Sequence, residues 1–279
     1  MRLSRRKALV GSAVLVGCRS ELPGPEATPA KAPAVGPNTN PTLVRARRSK
    51  DGADADLLRL FPQVPGQHRD PFVLLDDFRV SPPAGFPMHP HRGFEAFTYM
   101  LDGSFEHRDT MGNESRVTTG GTQRFTSGSG ARHSEMPGQQ GVNRGIQLWV
   151  NLPRRLKTTA PTYAAVHGRD LPVESRDGAV VRTIVGPGSP VALQTPGDYR
   201  DVTLPKDARF EGELLPDWQG LVYVADGAVR VGDVELREGQ AGLLVAGAFG
   251  LRALADARVI HLAGLPHREP IVHRGPYVD

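Results

Sequence analysis

The stretch HPHRGFEAFTYMLDGSFEHRDTMGN, residues 89–113, decides how this chain is read. It opens on His89-Pro90-His91, two imidazoles with one residue between them. In a β-strand, residues i and i+2 point to the same face, so both rings would leave one side of one strand. Pro90 suits an edge strand, because proline cannot donate to a ladder. Phe94 to Leu101 is an apolar strand, Asp102-Gly103 is a hairpin turn signal, and Ser104 to Arg108 is expected to return antiparallel. Further on, His133-Ser134-Glu135 repeats the one-residue spacing after a Gly-rich bend from Ser127 to Gly130. Two such strands side by side would aim three imidazoles and one carboxylate at one point. That donor set suits Fe, Mn, Ni, Cu or Zn rather than Ca or Mg, and leaves room for water or substrate on an octahedral ion. The candidate metal ligands are His89, His91, His133 and Glu135. A closed tetrahedral Zn site with a structural role only is the competing reading.

Outward from this stretch the same pattern continues. Phe72-Val73-Leu74-Leu75 opens a strand, Met111 to Glu114 is a turn, Arg124-Phe125-Thr126 precedes the Gly-rich bend, and Gly145 to Leu152 is a further buried strand. With 32 Gly and 25 Pro in 279 residues, few stretches run a dozen residues without a breaker, so long helices are not expected. Short strands with Gly turns predict an all-β chain built as an antiparallel sandwich or barrel. Phe97-Thr98-Tyr99-Met100-Leu101-Asp102-Gly103 is echoed by Leu221-Val222-Tyr223-Val224-Ala225-Asp226-Gly227, an offset of 124 residues (221 − 97), which implies two similar β domains. Carried through that offset, His89 falls on Glu213 and His91 on Leu215, so the second copy has no paired histidines. Its own His261, His267 and His273 are too far apart for one strand face and are taken as surface or packing residues. Near the first site, Glu95 lies four residues after His91, on the same strand face if the alternation holds, and is read as a support behind the ligands in preference to a salt bridge with Arg92, while His107 and Asp109 are expected to be solvated in the hairpin.

The net charge of +4 does not point to nucleic acid. The first seventeen residues hold Arg2, Arg5, Arg6 and Lys7 and no acid; the 34 basic residues less these four leave 30 against 30 acidic ones. Beyond Arg45-Ala46-Arg47-Arg48-Ser49-Lys50, read as a solvated segment, no basic cluster is evident. Residues 1–17 read as a signal peptide: Ser4 to Leu9 resembles a twin-arginine export signal, and the apolar run from Ala8 to Gly17 is too short to span a bilayer. Leu15-Val16-Gly17-Cys18 resembles a bacterial lipobox, with Cys18, the only cysteine, as the acylated residue. The expected location is the cell envelope or periplasm, as a membrane-anchored lipoprotein, and residues 18–43 read as a Pro/Ala-rich tether. The body is then divided into residues 44–165, which bind the metal, and residues 166–279, which do not.

Residues 89–113, with Ala131 to Pro137 (ARHSEMP), Gly145 to Pro153 (GIQLWVNLP), the preceding DPFVLLDDF and the final EPIVHRGPYV, resemble the pirin family of the cupin superfamily. The resemblance runs from about Val44 to the end, and is loosest between Glu174 and Glu213. It implies a bicupin of two stacked β-barrels with one iron, Fe(II), in the first, held by His89, His91, His133 and Glu135. It also implies an activity of the quercetin 2,3-dioxygenase kind on flavonols or related enediols, small phenolic substrates that would chelate the metal, with Glu135 as general base. Other members are metal-dependent regulators, so a non-enzymatic metal-binding regulator or sensor is the alternative. The stretch Thr119 to Phe125 departs from the family's usual turn and apolar strand.

Overall fold

A computed structural model describes residues 40–279; Arg5, Arg6, Cys18 and the rest of the expected signal lie outside the described residues. Every paired strand is antiparallel but for one single-residue bridge, and the helical content of the described residues is two short 3₁₀ turns, Arg154–Leu156 and Gly168–Asp170. The all-β expectation holds. In the first half, a seven-stranded sheet runs Thr162–Val166, Thr122–Thr126, Phe94–Asp102, Asn143–Asn151, Phe72–Val80, Ala55–Phe61, Arg47–Asp51. A four-stranded sheet, Phe86–His91, Ala131–Pro137, Ser104–Asp109, Glu114–Thr118, packs on it. The second half repeats the plan with seven and four strands. Each half is a jelly-roll-like pair of open sheets rather than a closed barrel.

Strand Phe94–Asp102 shows why the sequence reads as a continuous apolar run. Phe94, Ala96 and Met100 face the four-stranded sheet, whereas Phe97, Tyr99 and Leu101 enter a second core shared with Tyr199, Tyr223, Ile260 and Leu262 of the other half. A strand buried on both faces has no polar side to alternate with. Where the two large sheets meet, polar groups are paired reciprocally. Tyr99 donates to Asp201 at 2.6 Å, and Tyr223 donates to Asp77 at 3.0 Å. Arg144 binds Asp77 and the carbonyl of Ala225, while Arg258 binds Asp201 and the carbonyl of Leu101. Tyr99 and Tyr223, Asp77 and Asp201, and Leu101 and Ala225 are each separated by 124 residues, so the repeat seen in sequence is a pseudo-two-fold contact in space. Desolvated hydroxyls and carboxylates are costly unless paired, and here each half supplies the partner for the other.

The halves also exchange segments. Strand Thr42–Arg45 begins inside the stretch expected as tether and pairs with Gln240–Leu243 of the second half, because Leu43 and Val44 each find a core to enter. The hairpin His273–Arg274 with Tyr277–Val278 crosses the other way and bridges to Arg92.

Candidate metal centre

Strands Phe86–His91 and Ala131–Pro137 are neighbours, with His133 directly opposite His89 and Ala131 opposite His91. Phe86–His91 lies at the sheet edge, where Pro90 is tolerated. The alternation therefore places the rings of His89, His91 and His133 on one face, and one nitrogen of each lies within 4.8 Å of the others. His91 and His133 are buried. The aromatic packing is tight: Phe125 stacks on His133 at 4.4 Å, and Trp149 meets His91 edge-on at 4.9 Å.

The ring nitrogens are set for a cation. His89 Nδ1 donates to the carbonyl of Pro87 at 2.8 Å, and His91 Nδ1 donates to the carbonyl of Pro276 at 3.2 Å. A carbonyl can only accept, so each Nδ1 carries a proton, and a neutral ring held this way offers Nε2 as a lone pair. These two Nε2 atoms face each other at 2.9 Å. Two nitrogens bound cis on one ion at about 2.1 Å stand about 3 Å apart, so the spacing fits a shared divalent ion. His133 has both ring nitrogens buried without a partner. Burial, with His89 adding to it, lowers the His91 pKa to about 3; burial, with His91 and His89 adding to it, holds that of His133 well below its usual range. Neutral imidazole is the ligand form.

Glu135 is buried in the same cavity wall, but its carboxylate is not among the converging atoms. A bulge between His133 and Glu135 shifts the register, and Glu135 Oε1 accepts from Thr98 Oγ1 at 2.5 Å and from Gln123 Nε2. Tyr163 donates to Gln123 Oε1 at 2.9 Å and contacts Ser115. Behind this lies a polar row across five strands: Arg59, Asp76, Gln147, Thr98 and Gln123 are successive cross-strand partners. Directly opposed residues share a face, so the row lines the floor of the sandwich. Thr98 Oγ1 touches the Gln147 side chain at 2.7 Å, and Arg59 clamps Asp76 through two nitrogens at 2.9 and 2.7 Å. The cavity over this row is about 560 Å³, walled by Leu57, Leu74, Phe78, Phe86 and Trp149 with His89 and His91 at one side. A mostly apolar cleft of that size with few polar groups is the usual form of a small-molecule site.

Three expectations are corrected. His107 and Asp109 are not solvated: both side chains are fully buried, His107 stacks on Tyr163 at 4.0 Å and pairs with Asp109 at 3.1 Å. His107 sits opposite Glu135 on the neighbouring strand and so inherits its inward face. Glu95 does not support the ligands. The chain turns at Gly93, so His91 and Glu95 lie on different strands, and Glu95 points to the opposite face. There it accepts from Thr126 at 2.9 Å and from the backbone of Gln194 at 2.8 Å. His261 packs beside Phe249 as expected, but His273 lines the first-half cavity. Thr98, Gln123, Gln147 and Asp76 escaped the sequence reading because single polar residues inside apolar strands carry no spacing signal.

Two cupin-type sandwiches with converging histidines in the first alone define a bicupin with one candidate metal centre. Residues 55–150 match the Pirin family model, and residues 199–279 match the Pirin C-terminal cupin domain. A pirin-like protein of Caulobacter vibrioides is 39% identical over 250 residues, 85% of this chain and 90% of that one. Pirin of Mus musculus is 34% identical over 247 residues, 84% of this chain and 85% of that one. A crystal structure of a quercetin 2,3-dioxygenase from Acinetobacter baumannii superposes with a TM-score of 0.79 at 29% identity, over 86% of this chain and 91% of that one. The chain belongs to the pirin family.

Proposed function

We propose that this chain is an iron-dependent dioxygenase acting on flavonols or related small phenols that carry a hydroxyl beside a carbonyl. The observation that carries the reading is the pair of Nε2 atoms of His89 and His91 facing each other at 2.9 Å beside the unpartnered His133. The name of the Acinetobacter neighbour supports the choice of substrate. An Fe(II) held by His89, His91 and His133, with Glu135 as fourth ligand, would act as a Lewis acid that lowers the pKa of the substrate hydroxyl.

The chain's own residues do the rest. Thr98 and Gln123 both engage Oε1 of Glu135, so Oε2 would be the atom that holds the ion and, once loosened from it, accepts the substrate proton as general base. Leu74, Phe78, Phe86 and Trp149 hold the flat rings of the substrate and keep water out. Arg5-Arg6 and Cys18 extend the reading to an exported, lipid-anchored enzyme.

The test is metal content after anaerobic purification, followed by oxygen uptake and loss of quercetin's long-wavelength absorbance. Iron near one per chain with oxygen consumed supports the reading. Bound metal without turnover would favour a sensor, and absence of bound metal would remove the basis of both.

A further inference from the structure

The second half contributes to the candidate metal centre through residues 272–279. A ligating histidine needs its other ring N–H held, because that bond fixes tautomer and orientation. His89 finds its acceptor, Pro87, two residues away on its own strand. His91 finds its acceptor, Pro276, 185 residues away. The first half alone therefore lacks the carbonyl that presents His91 Nε2.

That carbonyl is held in place by dedicated contacts. Val278 is buried and its N–H donates to the carbonyl of Arg92 at 3.0 Å. Lys157 Nζ donates to three acceptors: the carbonyls of Val278 at 2.8 Å and Gly93 at 3.0 Å, and Asn151 Oδ1 at 2.8 Å. An ammonium has three protons, and this one places all of them. Its burial has a cost, seen in a pKa lowered to about 8. Arg92 adds a bond to Asp279 at 2.8 Å and lies 4.8 Å from the centre of the Tyr277 ring. Gly93 makes the approach possible. Its φ is +87°, and a Cβ there would stand 1.9 Å from the carbonyl oxygen of Val278.

We propose that Lys157 is a positioning residue of the metal centre: by clamping residues 272–279 against Gly93 it keeps the Pro276 carbonyl on His91, so the second half completes the first half's site. This rests on the metal reading above. Docking of the segment and binding of the ion then strengthen each other by the same factor, because linkage is reciprocal.

Co(II) is the probe, titrated anaerobically into the full chain and followed by its visible absorption. Hydrogen exchange at the amides of Val272 and Val278, both hydrogen-bonded, reports docking of the segment. In the unmodified chain, saturating Co(II) is expected to slow both amides at least about tenfold, as the linkage requires. Lys157→Met should weaken Co(II) by about 10- to 100-fold, the usual effect of losing an outer-shell support. Both amides should then exchange faster, with those of strand Asn143–Asn151 unchanged as a control for the fold, and Lys157→Arg should recover part of the affinity. The proposal is overturned if the segment is released in Lys157→Met while Co(II) affinity stays within about twofold, against the expected outer-shell loss. It is also overturned, without any variant, if Co(II) leaves both amides unaffected. Failure of the unmodified chain to bind Co(II) would instead remove the metal reading itself.

Discussion

The two halves share a scaffold and differ in one row of side chains. In the first half, Arg59, Asp76, Gln147, Thr98 and Gln123 cross the large sheet in register. In the second, the corresponding row is Thr183, Arg200, His261, Val222 and Gly242. The inner end of the row, where Thr98 and Gln123 grip Glu135, becomes Val222 and Gly242, and the two histidines opposite become Glu213 and Leu215 by sequence offset. The converging histidines and the side chains that grip Glu135 are absent together. Arg200 and His261 keep the row polar there, but both donate to Asp198 within the sheet. What distinguishes the site-bearing half is therefore a set of polar residues on two facing sheets, not a different fold.

The sharpest break between the halves is at histidine. His133→Ala removes a buried imidazole from the converging group, and metal affinity should fall by more than about 100-fold, beyond the range for outer-shell changes. His261→Ala, at the polar row of the other half, should leave metal content unchanged. Elemental analysis of both variants reads this directly, and equal loss in the two would mean the halves are not functionally distinct.

A smaller step copies one second-half residue into the first. Thr98→Val puts the side chain of Val222 where Glu135 Oε1 is held. Glu135 keeps Gln123 but loses the hydroxyl, so kcat with a flavonol should drop by about 10- to 100-fold while metal content is retained. Unchanged kcat would show the row to be packing. At the contact between halves the expectation is equality. Tyr99→Phe and Tyr223→Phe each take a donor from a buried aspartate that still has an arginine, so each should cost about 1–3 kcal/mol in urea unfolding. A difference larger than that between the two would break the pseudo-two-fold reading.

The fold and the convergence of three histidines were legible because period-2 spacing survives in short segments. His89, His91 and His133 sit on paired strands, and Asp102-Gly103 and Asp226-Gly227 mark the same turn in each copy. Glu95 was misplaced because a four-residue spacing was carried across Gly93, where the backbone reverses. His107 was misplaced because a hairpin strand was equated with exposure, although its face is fixed by pairing with Glu135. The role of residues 272–279 was hidden for a simpler reason: a backbone carbonyl such as that of Pro276 has no letter in the sequence.

The smallest expected effect is a pH dependence confined to the site-bearing half. Burial pushes the Asp76 carboxyl from its usual 3.8 up to about 6, in spite of the Arg59 guanidinium beside it. A raised folded-state pKa means that the folded chain holds this proton more tightly than the unfolded one between those values. The contribution of Asp76 to stability is thus full below about 4 and is lost as pH rises through about 6, with a slope of at most about 1.4 kcal/mol per pH unit. Asp76→Asn stands in for the protonated carboxyl, so it should raise the unfolding free energy above pH 6 relative to the unmodified chain and make its decline between pH 4 and 6 shallower. Urea unfolding at several pH values reads both effects. An unchanged slope would mean that Asp76 is ionised throughout, and the row would then present a fixed ion pair, rather than a carboxyl near its titration point, to whatever occupies the cavity.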